Sequence, residues 1–225
     1  METAKNVVRL SMVAAAVLAS GTVLFSAPAS AENNKYTYTS SGKGISASEA
    51  NYSSCGYSDS YFDALENVSR DSSGKNTGSL GYFGSYSYDY CNGNYKSCWG
   101  WIDLNSIKVS GNKGTAQGTG AISCYSGSWW GGYSSYTENI TADVAVTCSG
   151  EYSYNDKYSQ RTTYAGPWGV DIYSYSGKGS YCSAQATGSI TGDIDTNITL
   201  GQAEYNSASI SDWKSKTTTV SKYKP

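Results

Sequence analysis

The side chains able to do chemistry in this chain are carboxylates, phenols, indoles and amines, because its 225 residues include no histidine. That absence excludes Ser-His-Asp and Cys-His catalysis, the HExxH zinc motif and any imidazole base working near neutral pH. The run closest to metal-ligand spacing is Asp193-Ile-Asp195-Thr-Asn197, which with Glu204 sets oxygens at the ligand positions of a calcium loop. Where such a loop turns on glycine, this chain has Ile198. Ile190, Ile194, Ile198 and Leu200 also alternate with Asp193, Asp195 and Asn197 as the two faces of a strand. A strand throws its oxygens outward instead of curling them round an ion, so no metal and no cofactor is expected, and Ile194 is expected in the core. Carboxylate-based glycosidic cleavage needs a spaced acid pair. Glu138, Asp143, Glu151, Asp171 and Glu204 are available, but no spacing selects two of them, and no catalytic residue is assigned.

Ring stacking is the better-supplied chemistry: 22 Tyr and 6 Trp stand against 3 Phe. Trp129-Trp130-Gly131-Gly132-Tyr133 has loop character, and Trp129, Trp130 and Tyr133 are the candidate ligand-binding residues. Exposed aromatic platforms hold sugar rings by stacking and desolvation. Trp99 and Trp101, two apart, would share one face of a strand and are expected to fill a core otherwise short of Leu and Phe.

The elements that must position these rings are strands. Ile140, Ala142, Val144, Val146 and Cys148 alternate with Thr141, Asp143 and Thr147, as a half-buried strand requires. Residues 190–200, 82–91, 102–109, 115–123 and 181–188 follow the same rule. One-sided alternation belongs to antiparallel sheets with one wet face. The expected fold is a single all-β domain, 32–225, an antiparallel β-sandwich or flattened barrel of roughly eight to ten strands. Asp59–Arg70 reads equally well as helix or strand. Ser41-Gly-Lys-Gly44, Ser110-Gly-Asn-Lys-Gly114 and Ser176-Gly-Lys-Gly179 form a weak repeat, read as tight glycine turns between strands.

The 6 cysteines, with no CxxC among them, read as a three-disulfide framework. Cys148–Cys182 follows from the small-residue faces on which both lie. Cys91–Cys98 follows from the reversal at Asn92-Gly93, and Cys55–Cys124 from elimination.

Tyr88-Asp-Tyr-Cys91, the Gly-rich strand Gly114–Ile122 and the late segment Tyr181-Cys-Ser-Ala-Gln-Ala-Thr-Gly188 occur together. In order and texture they resemble an uncharacterised family of small exported bacterial β proteins. The resemblance implies the fold and carries no functional residue across. Residues 1–31 fit the same picture: Lys5 and Arg9, an apolar run from Leu10 to Phe25, and Ala29-Ser-Ala31 have the form of a secretory signal peptide. The expected product is secreted, in the medium or the periplasm, with no membrane span once the signal is cleaved. The formal charge of −2 and the scattered signs give no basic footprint for nucleic acid. The function expected is non-enzymatic, a structural or interaction module at the cell surface or in the medium. The alternative is a carbohydrate-binding module using exposed Trp and Tyr to hold a glycan or cell-surface component. The second alternative is a carboxylate-based glycoside hydrolase.

Overall fold

The computed structural model describes residues 34–163 and 169–222, so the expected signal peptide (1–31) lies outside the described residues. Nine strands follow in chain order: β1 (Asn34–Tyr52), β2 (Gly56–Asp71), β3 (Gly74–Asp89), β4 (Asn94–Ser110), β5 (Lys113–Ser128), β6 (Tyr133–Thr163), β7 (Val170–Gly192), β8 (Asn197–Leu200) and β9 (Tyr205–Lys222). All pair antiparallel. Their order, β6-β5-β4-β3-β2-β1-β9-β7-β8, with a further β6–β7 pairing, turns the sheet back on itself. The all-β architecture expected from the alternation is the one adopted.

The ring is incomplete. β3 and β4 pair only from Gly81↔Ile102 to Asp89↔Asn94, and β5 and β6 part company at Lys113↔Thr147. Beyond those points β3, β2, β1, β9, β7 and β6 run on without β4 and β5. This six-stranded extension has free edges at residues 74–80 and 149–163 among the described pairings. The β4–β5 hairpin packs back onto β1 and β9, which makes the closed half a flattened, sandwich-like body.

The core follows the period-two rule. Phe62 of β2 faces Phe83 of β3 in register, and both are fully buried. Ile45, Ile102, Ile122, Ile140 and Ile190 join them from β1, β4, β5, β6 and β7. The ambiguous segment 59–70 is strand: Phe62 and Ala64 point inward while Tyr61, Asp63 and Leu65 point out, a period no helix supplies.

All six cysteines are paired, as Cys55–Cys91, Cys98–Cys124 and Cys148–Cys182, and three disulfides fit an oxidising compartment. Two of the expected pairings are corrected. Cys98 lies directly opposite Cys124 in the β4–β5 register, with Cα atoms 4.1 Å apart, so it does not meet Cys91. Cys91 sits in the β3–β4 turn, which the Gly56↔Asp89 register brings beside the β1–β2 turn, where the Tyr90 N–H donates to the Cys55 carbonyl at 2.6 Å.

The Ser-Gly-Lys-Gly repeat is also reassigned. Only Ser110–Gly114 forms a turn, with Gly111 at φ 59°. The other two copies lie inside β1 and β7, on either side of β9, and both align with Trp213: Gly42↔Trp213 and Gly179↔Trp213. A Cβ on Gly42 would come within 2.2 Å of the indole, so this glycine clears the space that the ring occupies.

Candidate functional site

The outer face of β2–β6 carries the aromatic residues. Since Cys98 and Ile102 point inward, the odd positions between them point out, and Trp101 is 60% exposed. The expectation that Trp99 and Trp101 fill the core is corrected: Phe62, Phe83 and a set of Ile and Val fill it instead. Two ring ladders cross adjacent strands. Tyr61 of β2 stacks on Tyr82 of β3 (centroids 5.7 Å, 21°), which meets Trp101 of β4 edge-on (4.9 Å, 73°). Trp99 of β4 stacks on Tyr125 of β5 (4.9 Å, 15°), which lies parallel to Tyr133 of β6 (6.5 Å, 1°). Such cross-strand ring pairs stabilise a sheet face, yet Tyr61, Trp99, Trp101 and Tyr133 stay exposed, with Tyr82 and Tyr125 half-buried between them.

Between the ladders runs a groove of about 230 Å³ lined by Asp59, Tyr61, Tyr82, Tyr86 and Trp99, with Gly84 and Ser85 along β3. Gly84 aligns with both Tyr61 and Trp99, and a Cβ there would come within 2.4 Å of the Tyr61 ring. Asp59 accepts a hydrogen bond from the Tyr57 hydroxyl at 2.5 Å. Burial and the Asp59 carboxylate both push the Tyr57 phenol above its ordinary range, so it stays a donor.

Of the residues expected to bind ligand, Tyr133 belongs to the second ladder. Trp129 and Trp130 occupy the β5–β6 turn and not a strand. Trp129 leans on the β3–β4 turn: its backbone N–H donates to the Gly93 carbonyl (3.1 Å) and its ring lies near Tyr88 (5.7 Å). Trp130 projects into solvent, 90% exposed. The structure therefore divides the expected trio and adds Tyr61, Tyr82, Trp99, Trp101 and Tyr125. One signal for these was present: a buried disulfide cysteine at 98 forces residues 99 and 101 to the opposite face.

The buried carboxylates fasten loops. Glu138, on the core side of β6, is 0% exposed. Its Oε1 accepts the backbone N–H groups of Ile194 (3.1 Å), Asp195 (2.8 Å) and Thr196 (2.7 Å), and its Oε2 the Thr196 hydroxyl (2.6 Å). Burial raises its pKa, but these four donors outweigh burial and hold it below the ordinary carboxylate range. A Cβ on Gly192 would collide with Oε1 at 1.9 Å, so glycine is required where the loop closes over the carboxylate. Glu49 clasps the next loop, accepting from the Gly201 N–H and from Asn206 Nδ2 (2.8 Å). β8 thus hangs between two loops, each fastened by a buried glutamate.

Glu138 is held against the Cys98 and Cys124 sulfurs, but these are bonded to each other and offer no thiolate for a metal. Asp143 points to the opposite face of β6 from Glu138, so those two cannot act on one bond.

The strand expected across 190–200 is interrupted. Residues 193–196 curl round Glu138, and Ile194 stands at the tip, 59% exposed. The loop oxygens are occupied by protein donors. Asp193 accepts from Asn139 N–H (3.0 Å) and Nδ2 (2.9 Å), and Asp195 from Lys96 Nζ (2.5 Å) and the Tyr136 hydroxyl (2.7 Å). Chemical denaturation should therefore show Ile194→Ala within ~0.5 kcal/mol of the parent. Ile190→Ala, which empties a fully buried site, should cost about 2–5 kcal/mol. Equal costs would mean that Ile194 is buried in solution.

No family model matches this chain, and neither the curated proteins nor the solved structures include a significant match to it.

Proposed function

We propose that the protein is an exported, non-enzymatic binding module whose outer aromatic face holds a polysaccharide. The observation that carries this reading is the pair of three-ring ladders, with Tyr61 and Trp101 of one and Trp99 and Tyr133 of the other exposed, on either side of a groove in the sheet face. Aromatic planes offer sugars a large apolar contact with little conformational entropy to lose, and Tyr hydroxyls and Asp59 supply polar contacts beside them. Placement on strands instead of loops keeps the planes in fixed register across β2 to β6. The three disulfides support an extracytoplasmic location. The hydrolase reading draws no support from Glu138, which is consumed by the loop it clasps.

The test is depletion on insoluble cellulose, chitin and xylan, with tryptophan fluorescence followed on soluble fragments of whichever is retained. Trp99→Ala and Trp101→Ala should each weaken association about tenfold, the scale of a central aromatic contact. Trp130→Ala should change it less than about twofold, because it stands apart from both ladders. Each loses one cross-strand ring contact, so the melting temperature should fall by only a few degrees, about 1 kcal/mol for each ring pair, and both variants stay folded under the assay conditions. Retention undiminished in the Trp99→Ala/Trp101→Ala double variant, or no retention on any of the three, would overturn the proposal.

A further inference from the structure

The cations are scattered along the chain, but strand alternation gathers them. In the six-stranded extension, the face that continues the core side runs from Ile45 to Lys43 and Ser41 on β1, and from Ile210 to Asp212, Lys214 and Lys216 on β9. One register row crosses all six strands as Lys157, Ser176, Lys216, Thr39, Arg70 and Lys75. The neighbouring row begins Asn155, Lys178, Lys214 and Ser41. Arg161, Lys35 and Lys222 continue the same face toward its end. Most of the 16 Lys and Arg of the chain therefore share one side of one sheet, and all of these except the half-buried Lys43 are exposed.

The acids with described side chains on this face are Glu66 and Asp212, both register neighbours of Lys43. Among the described residues the single ion pair is Lys96–Asp195, which lies elsewhere. Strands about 4.8 Å apart and same-face residues about 6.8 Å apart keep neighbouring charges within a Debye length of about 8 Å. Their mutual repulsion is relieved when a polyanion lies across them.

We infer that this face binds an acidic polysaccharide, a linear chain bearing carboxylate groups at close intervals. The cations alternate with Ser and Thr hydroxyls, which suit sugar hydroxyls. The face carries no aromatic ring among its described side chains, so it lacks the stacking platforms on which single-stranded nucleic acid is held. Its apolar side chains at the far end, Val170, Ile172 and Val220, are buried or half-buried and too few to insert into a bilayer. The inference is independent of the aromatic ladders, which occupy the opposite face of the sheet.

Calorimetry on the full chain, with polygalacturonate and its fully methyl-esterified counterpart as probes, tests it. The acidic polymer should bind at least about tenfold tighter than the neutral one, and a rise from about 50 to 300 mM NaCl should cost about tenfold or more. The Lys178→Gln/Lys214→Gln/Lys216→Gln variant should lose at least about tenfold at an unchanged melting temperature, whereas Lys108→Gln, on the other face, should lose less than about twofold. Trp99→Ala/Trp101→Ala should bind polygalacturonate as the parent does, which separates a failure here from a failure of the ladder reading. Wild-type affinity in the triple lysine variant would overturn the inference. So would no binding of polygalacturonate at low salt, or a preference for duplex DNA or phosphatidylglycerol vesicles at equal charge.

Discussion

Glu138→Ala is expected to destabilise the fold by about 3–5 kcal/mol in urea unfolding, more than any surface substitution in this chain. The alanine leaves three backbone N–H groups and the Thr196 hydroxyl facing an enclosed site without their acceptor, and stranded buried donors are costly. Glu138→Gln keeps one oxygen for the backbone donors and should lose less. The same carboxylate gives stability a pH dependence. Its folded pKa, like those of Asp193 and Asp195, lies below the unfolded value. The contribution is therefore complete above the unfolded carboxylate pKa of about 4 and is lost as pH falls through the folded values. Urea midpoints measured downward from pH 7 should hold until that region and then drop. The drop should be shallower in Glu138→Gln; an identical acid profile in that variant would remove Glu138 from the account.

Phe62→Ala is expected to cost about 3–5 kcal/mol. Phe62 and Phe83 are fully buried and face each other across β2 and β3, so truncating either leaves a ring-sized void lined by the other. The void cannot collapse easily, because both strands are held in register along their length and β3 is tied at its end through Cys55–Cys91. Because the two rings share one site, the double variant Phe62→Ala/Phe83→Ala should cost clearly less than the sum of the singles. Additive costs would show that the rings do not pack together in solution.

Period-two alternation made much of the fold legible before any coordinates. It placed Ile140, Ala142, Val144 and Val146 on one face and grouped Cys148 with the small face of Cys182, Ala184 and Ala186. It also set Trp99 and Trp101 on a common side. Alternation says which residues share a face but not which face is wet, and for the tryptophans that choice rested on composition. Leu and Phe are scarce, yet Ile, Val and Ala from eight strands were enough to fill the interior. Register was the other gap. Disulfide partners depend on which strands lie side by side, and Cys91 and Cys98 are separated by the first residues of β4, which carry Cys98 onto its own partner. The interruption at Ile194 was hidden for the same reason: the group that bends the chain there, Glu138, lies 56 residues away. The basic face was hidden because its members meet only when six strands are aligned.

The pairing of β1 with β9, from Asn34↔Ser221 to Ala50↔Tyr205, governs when this molecule becomes whole. β1 waits for β9, so every strand between them must be synthesised before the sheet can close. Loop-closure entropy on that scale, together with the predominance of non-local pairing, belongs to slow folders working in milliseconds to seconds. Until then one edge of β1 and one of β7 stand open, and open edges invite pairing with other chains. Lys35 and Lys43 on β1 and Lys178 on β7 sit along those temporary edges, and charged side chains of this kind make an open edge a poorer template for a second chain.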